Sequence, residues 1–169
     1  MRQLTILTMS AALLLSAAIF GFFYAWVCST MWGLDAADPR VAIEAMQAMN
    51  ASVRNATFAP AFFGTPFALW IAAALLWRLK SKTSAWLFAG AGVTYFCLGM
   101  MLTMTINVPM NQALALVEVP ASTQEAQVIW DDYSGPWQFW NQTRTVTSGI
   151  AFLLALAGVF QFRMSVSAR

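Results

Sequence analysis

All seven acidic residues of this 169-residue chain fall in two short windows, and four long apolar stretches run between and around them. Asp35, Asp38 and Glu44 occupy the first window; Glu118, Glu125, Asp131 and Asp132 occupy the second. The connector between the second and third apolar stretches carries Arg78, Lys80 and Lys82 and no acid, Arg2 stands at the N-terminal tip, and Arg163 and Arg169 stand in the C-terminal tail. Lys and Arg next to transmembrane segments are held on the cytoplasmic side. The pattern predicts an all-α polytopic membrane protein, a four-transmembrane-helix bundle with both termini inside and two acidic segments outside. The spans are expected at about 4–32, 62–79, 85–109 and 145–162, the outer segments at about 33–61 and 110–144, and the inner connector at about 80–84, all within one domain, 1–169. The expected location is a bacterial cytoplasmic membrane, with the lipid bilayer as the principal partner.

Composition agrees. Sixty per cent of the residues are hydrophobic, 9% are charged and none is histidine, whereas soluble domains carry about a quarter charged residues. The bases are divided among the membrane ends, so no basic face exists for a nucleic acid. A cleaved signal would have an apolar core of about 7–15 residues followed by small residues. The run from Leu4 to Cys28 is long enough to span and ends among Trp26, Cys28 and Trp32, so it reads as a retained first span. Cys28 lies near the outer end of span one and Cys97 near the middle of span three. At about 1.5 Å per residue their depths differ by more than about 10 Å, too far for a disulfide.

Small residues recur at four-residue spacing in three spans: Ala17, Gly21 and Ala25; Gly64, Ala68 and Ala72; and, with one shorter step, Ala151, Ala155 and Gly158. Such stripes allow close helix approach in lipid. Pro66 is expected to kink span two or to free a carbonyl. In the first outer segment, Asp38-Pro39 is an N-cap followed by a first-turn proline. Ala42, Ala45, Met46, Met49, Val53 and Ala56 then share one face, opposite Glu44, Gln47, Asn50 and Arg54. This amphipathic helix of about 18 residues must bury its apolar face on the membrane surface or across the outer mouth of the bundle. In the second outer segment Pro120 breaks the chain, Ser122 with Glu125 forms a capping box for a short helix to Asp132, and Ser134-Gly135-Pro136 signals a turn. Pro136 is then expected to start a helix that runs into span four, leaving a Trp-rich loop on the outer side.

One polar group stands out at the outer ends of spans three and four. Asn107 and Asn111 are four residues apart around Pro109. Trp137, Trp140, Asn141 and Arg144 fall at i, i+3, i+4 and i+7 on the helix entering span four. Two indoles, a guanidinium and amides on facing helices suit a flat, oxygen-bearing aromatic ligand. The same residue types also serve as interfacial anchors and as caps for freed carbonyls, and that plainer reading is the commoner one. Asp131-Asp132 beside Tyr133 is the nearest thing to an acid/base pair, but adjacent residues on a helix diverge, and a solvated helix end explains them. Met100, Met101 and Met104 lack a histidine or cysteine companion and read as packing rather than as a metal site. Arg54 reads as a solvated arginine beside Asn50.

Taken as a set, these segments resemble the anthrone oxygenase-like integral membrane proteins. The resemblance is carried by Gly21-Phe22-Phe23, Trp32-Gly33-Leu34, Ala45-Met46-Gln47-Ala48-Met49-Asn50 leading to Asn55 and Phe58, and Phe63-Gly64. It continues through Asn107-Val108-Pro109-Met110-Asn111, Trp130, Trp137 and Trp140-Asn141-Gln142-Thr143-Arg144-Thr145. The resemblance implies a compact four-span bundle with its outer segments packed over one end. It also implies oxidation of anthrones to anthraquinones by molecular oxygen without an obvious cofactor. Asn107, Asn111, Asn141 and Arg144 would form the polar cluster, with Trp137 and Trp140 stacking the ligand. Gln142 stands where the family frequently has histidine, which removes a proton acceptor from that position. The alternative to an enzyme or binder of apolar polycyclic phenols is a non-catalytic scaffold or a protein that binds lipid or a partner, in which the same cluster locks span three to span four.

Overall fold

The computed structural model describes residues 1–167, so Arg169 lies outside the described residues. Five helices account for almost all of it: α1 (Arg2–Asp35), α2 (Pro39–Ser52), α3 (Phe58–Arg78), α4 (Lys82–Ala115) and α5 (Thr123–Ser167). All but α2 are long and apolar enough to cross a membrane. These four form an up-down bundle in which α1 packs against α3 and α5, and α4 packs against the same two. The hairpin between α3 and α4 turns at Lys80, which takes the left-handed conformation (φ 60°). α1, α4 and α5 outrun a bilayer: the 45 residues of α5 measure about 67 Å against a hydrocarbon core of about 30 Å.

The excess length builds a second core. Within the bundle Ile19, Phe23, Leu69, Leu76, Phe88, Tyr95 and Ala155 are buried together. Beyond it, Met31 of α1, Ile43 and Met46 of α2, Leu114 of α4 and Trp130, Tyr133 and Trp137 of α5 form a separate cluster. Of the two positions open to the amphipathic helix, the structure shows the one across the bundle mouth. The helix ends at Ser52, shorter than its apolar pattern predicts, because Asn55 caps the next element: its Oδ1 accepts the N–H groups of Thr57 (2.9 Å) and Phe58 (3.0 Å). At its other end Asp38 accepts Arg40 N–H at 3.0 Å, as expected of an N-cap. The Arg40 fork donates to both Asp38 oxygens and also reaches Ala121 O (3.2 Å). Chiefly through the side-chain hydrogen bond from Arg40, the Asp38 carboxyl is held down at about 2, from an ordinary value of 3.8. Gln47 Nε2 donates to Leu114 O (2.8 Å) and Val117 O (2.9 Å), which ties α2 to the C-terminal end of α4 and the residues just beyond it.

Two sequence expectations give way to tertiary structure. The turn at Ser134-Gly135-Pro136 does not form; α5 runs straight through it, so the Trp-rich segment is helical. The reason is a single carboxylate. Trp130, Ser134 and Gln138 stand four residues apart on one face of α5, and all three donate to Asp35, at 2.9, 2.7 and 2.9 Å. Asp35 therefore splints one helix turn on each side of the Gly-Pro pair. The small-residue stripe of α1 is also not its packing face. Gly21 and Ala25 are exposed, and Thr5, Met9, Ala12, Ser16, Ile19 and Phe23 turn inward instead. Close approach occurs elsewhere. A methyl group at Gly92 would sit 2.3 Å from Trp70 Nε1, and one at Gly158 would sit 2.7 Å from the Phe88 ring.

Pro66 frees a carbonyl, as its position predicts. Lacking an N–H, it cannot serve Phe62 O one turn earlier, and the Tyr95 hydroxyl of α4 donates to that oxygen at 2.9 Å. Tyr95→Phe is expected to cost about 1–3 kcal/mol in thermal or denaturant unfolding, since the buried carbonyl loses its donor. Adding Pro66→Ala to that variant restores an N–H to the helix and should recover most of the loss; no recovery would break the link between the two residues. Asp35→Ala is expected to cost about 2 kcal/mol. Amide exchange should accelerate around Gly135 in that variant and stay unchanged in the inner half of α5.

Candidate functional site

Between the two cores lies a cavity of about 580 Å³ to which all five helices contribute. That size is ordinary for a small-molecule site. Its existence follows from where helices stop packing. α3 follows α4 only as far as the π-helical turn Phe96–Met101; beyond it the two part, and α2 with its connector roofs the gap. Further π-helical turns sit at the same level, at Trp26–Thr30 in α1 and Thr103–Asn107 in α4. Each inserts one residue into a turn and re-aims the side chains beyond it, and Trp26 and Thr103 are both on the cavity wall.

Seven aromatic side chains line the cavity: Phe22, Phe23, Trp26, Phe58, Phe62, Phe63 and Trp137. They pack mutually, Trp26 on Trp137 at 5.1 Å between ring centroids, Phe22 on Phe58 at 4.8 Å and Phe58 on Phe62 at 5.2 Å. The Phe22–Phe58 pair also borders a smaller adjoining hollow of about 490 Å³ between α1, α2 and α3. The polar part of the wall comprises Asn50, Arg54, Asn55, Thr103, Asn111, Gln112 and Arg144, with two cations and no carboxylate.

Arg144 is the chemical centre. It is 4% exposed. Its Nη2 donates to Asn141 Oδ1 (2.8 Å) and its Nη1 to Thr103 Oγ1 (3.3 Å). Its Cζ lies 4.7 Å from the centre of the Phe23 ring and 5.3 Å from that of Trp137. Each partner is itself fixed. Asn141 Nδ2 donates to Phe23 O at 3.2 Å, just before the α1 π-turn. Thr103 Oγ1 donates to Gly99 O (2.6 Å), which orients its lone pairs toward the guanidinium. No acid faces Arg144; among the described residues the one ion pair is Arg40–Asp38. Two of the five guanidinium N–H donors are used, and the buried Nε has no partner.

The expected polar cluster divides. Arg144, Asn111 and Trp137 reach the cavity wall; Asn141 and Asn107 stand behind it; Trp140 turns away, half-buried and edge-on to Phe139 at 5.1 Å. Asn107 is wholly buried with neither side-chain polar atom partnered. Asn111 is heavily committed. Its Oδ1 accepts Tyr133 Oη (2.8 Å) and Trp137 Nε1 (2.9 Å), and its Nδ2 donates to Asn50 Oδ1 (3.0 Å). The Asp131-Asp132 pair is exposed, with Asp131 accepting from Gln127, and neither is on the wall. Gln142 is exposed on the far side of α5, so a histidine there would not enter this cavity.

Sequence reasoning missed the α1 aromatics, Thr103 and the cavity-facing position of Arg54. The phenylalanines carry only an apolar signal, and Thr103 carries none. Asn50 sits near Arg54 on the amphipathic pattern, yet its amide is taken by Asn111 and, at 3.5 Å, by Tyr133.

The described residues form an all-helical membrane protein with an aromatic chamber at the bundle mouth and a guanidinium in its wall. The chain belongs to the anthrone oxygenase family, whose family model matches residues 49–154. That stretch holds every polar residue of the wall. Neither a curated protein nor a solved structure matches the chain.

Asn111→Leu is expected to strand the buried donors of Tyr133 and Trp137 and to cost about 2–4 kcal/mol. The loss should appear as earlier thermal unfolding of the cap, read by tryptophan emission, before the bundle helicity is lost.

Proposed function

We propose that the cavity binds a polycyclic phenol of the anthrone class and promotes its oxidation by molecular oxygen to the anthraquinone. The observation that carries this reading is the buried guanidinium, free of any carboxylate, in the wall of an aromatic chamber. An uncompensated cation at that depth is costly, and an anionic ligand supplies the missing charge. Anthrones are carbon acids. Loss of a proton from the methylene carbon leaves an enolate whose charge rests on the oxygen across the ring. Arg144, with its remaining N–H donors, stabilises that oxyanion and favours the ionised form. Phe23 and Trp137 flank the guanidinium, and the wall rings stack on the ligand faces.

The enolate then transfers electrons to oxygen. A carbon–oxygen bond forms at the former methylene carbon, the second proton leaves that carbon, and the oxygen–oxygen bond breaks. One anthrone and one dioxygen give one anthraquinone and one water. The wall offers no carboxylate and the chain no histidine, so the proton passes to water, and catalysis consists of acidifying the substrate and excluding other chemistry. Asn141 and Thr103 are positioning residues for Arg144, and Asn111 holds Trp137. We further propose that the Arg78, Lys80 and Lys82 hairpin faces the cytoplasm, which places the chamber at the outer leaflet.

The test is oxygen uptake by the purified protein in detergent with an anthrone substrate, corrected for the spontaneous rate. The wild type should exceed background, Arg144→Ala should lose about 10²–10³-fold in kcat, and Arg144→Lys should keep part of the rate. Uptake at background for a series of anthrones would overturn the oxygenase reading. Quinone binding without uptake would make the protein a carrier for such compounds.

A further inference from the structure

We propose that the hollow between α1, α2 and α3 is a lateral entrance, through which the ligand of the chamber passes from the outer leaflet of the bilayer, with the Phe22–Phe58 ring pair as the partition it crosses. This rests on the reading of the chamber as a site for a flat apolar phenol and deepens it by naming the source of that ligand.

The hollow holds about 490 Å³ against about 580 Å³ in the chamber, so a ligand that fits one fits the other. A single layer of side chains divides them. Phe22 and Trp26 of α1, Met49 of α2, Val53 just beyond it, Asn55, and Phe58 of α3 border both spaces. Phe22 and Phe58 meet with 4.8 Å between ring centroids. Dispersion alone holds that contact, and rotation of either ring about its side-chain bonds joins the two spaces. Depth decides what the hollow faces. The 21 residues of α3 measure about 30 Å, the thickness of a hydrocarbon core, with Arg78 at the inner end and Phe58 at the outer. Ala61 then lies within the hydrocarbon and Thr57 at its edge. The hollow follows the same order, with Ala18, Ile19 and Ala61 at its inner end and the exposed Ser52, Asn55 and Thr57 at its rim. Ala18 and Ala61 are too small to fill the gap between their helices. Further in, α1 and α3 close up, and a methyl group at Gly64 would meet Leu15 Cδ1 at 3.8 Å. An apolar floor within the hydrocarbon, below a polar rim at the interface, matches the way a polycyclic phenol lies in a bilayer, rings among the acyl chains and hydroxyls toward the headgroups. The approach past Arg54 and Gln112 is polar and exposed, and an apolar ligand reaches it only by leaving the lipid.

The test follows the saturable quenching of tryptophan emission in a stopped-flow instrument when the protein, in phosphatidylcholine vesicles, is mixed with 1,8-dihydroxyanthraquinone; Trp26 and Trp137 on the chamber wall report arrival. Ala18→Phe and Ala61→Phe plug the hollow from residues that do not line the chamber. Each is expected to slow association about 10-fold and dissociation by the same factor, leaving Kd within about 2-fold, because an obstruction in a path raises the barrier without changing the end states. Ala18→Leu, a smaller plug, should slow both rates less. Gly21→Phe adds a ring at an exposed position of α1 that borders neither space and should keep both rates at wild type. Unchanged rates in both plugged variants would overturn the inference and leave the chamber reading standing, with Phe63 and Met104, exposed on the wall between α3 and α4, marking the route instead. A weaker Kd carried by faster dissociation would make the hollow part of the binding site. A phospholipid that stays on the wild type in native mass spectrometry and is lost from Ala18→Phe would make it a lipid site. Either result overturns the entrance. No saturable quenching of the wild type would overturn the chamber reading together with it.

Discussion

A guanidinium without a counter-ion, placed among phenylalanine and tryptophan, is the constraint around which the rest of this molecule is arranged. Arg144 is held by dipoles and ring faces rather than by charge. Such partners offset part of the cost of burial and leave the net charge uncancelled. Thr103, Asn141 and the ring of Phe23 each come from a different helix. Its position thus depends on three spans keeping register, and the bonds from Asn141 to the α1 backbone and from Thr103 to Gly99 maintain it.

The cavity beside Arg144 is a consequence of mismatches in helix packing. Regular helices would close the bundle along its length. Here π-turns in α1 and α4 and Pro66 in α3 interrupt that regularity at one level, and side chains from other elements repair the interruptions. Tyr95 answers Pro66 and Asn141 reaches the backbone beside the α1 π-turn. Asp35 holds α5 straight past Gly135 and Pro136, carrying Trp130, Tyr133 and Trp137 into the cap. The roof and the floor of the chamber are therefore separately stabilised, which lets the space between them stay open.

How much of this is legible in the chain depends on the range of the signal. Spans, the N-cap at Asp38, the carbonyl freed by Pro66 and the two-faced pattern of α2 are local or periodic properties, and all are visible in the sequence. Arg144 and Asn111 are conspicuous because ionisable and amide groups at a span end are rare. The continuity of α5 is not legible: Ser-Gly-Pro is a turn signal, and the carboxylate that overrides it lies 95 to 103 residues away in sequence. The inward face of α1 is equally hidden. Its small residues point to one face, while packing against α3 and α5 selects the face with Ile19 and Phe23. Trp140 shows the limit of spacing arguments, since i+3 from Trp137 shares a rough face, yet Trp140 stands off the cavity wall and packs edge-on to Phe139.

The proposed chemistry depends equally on the cavity wall carrying no acid. A site with a carboxylate beside Arg144 would form an internal ion pair, and a neutral ligand would have to break it at the cost of desolvating both groups. With amides and rings instead, the guanidinium exerts its full field on whatever enters, and that field grows as water is excluded. On the proposed reading the acid in such a site is the ligand, and its proton is released because the Arg144 charge lowers the ligand's pKa rather than because the wall supplies a base. Gln142, exposed on another side of α5, takes no part in that scheme.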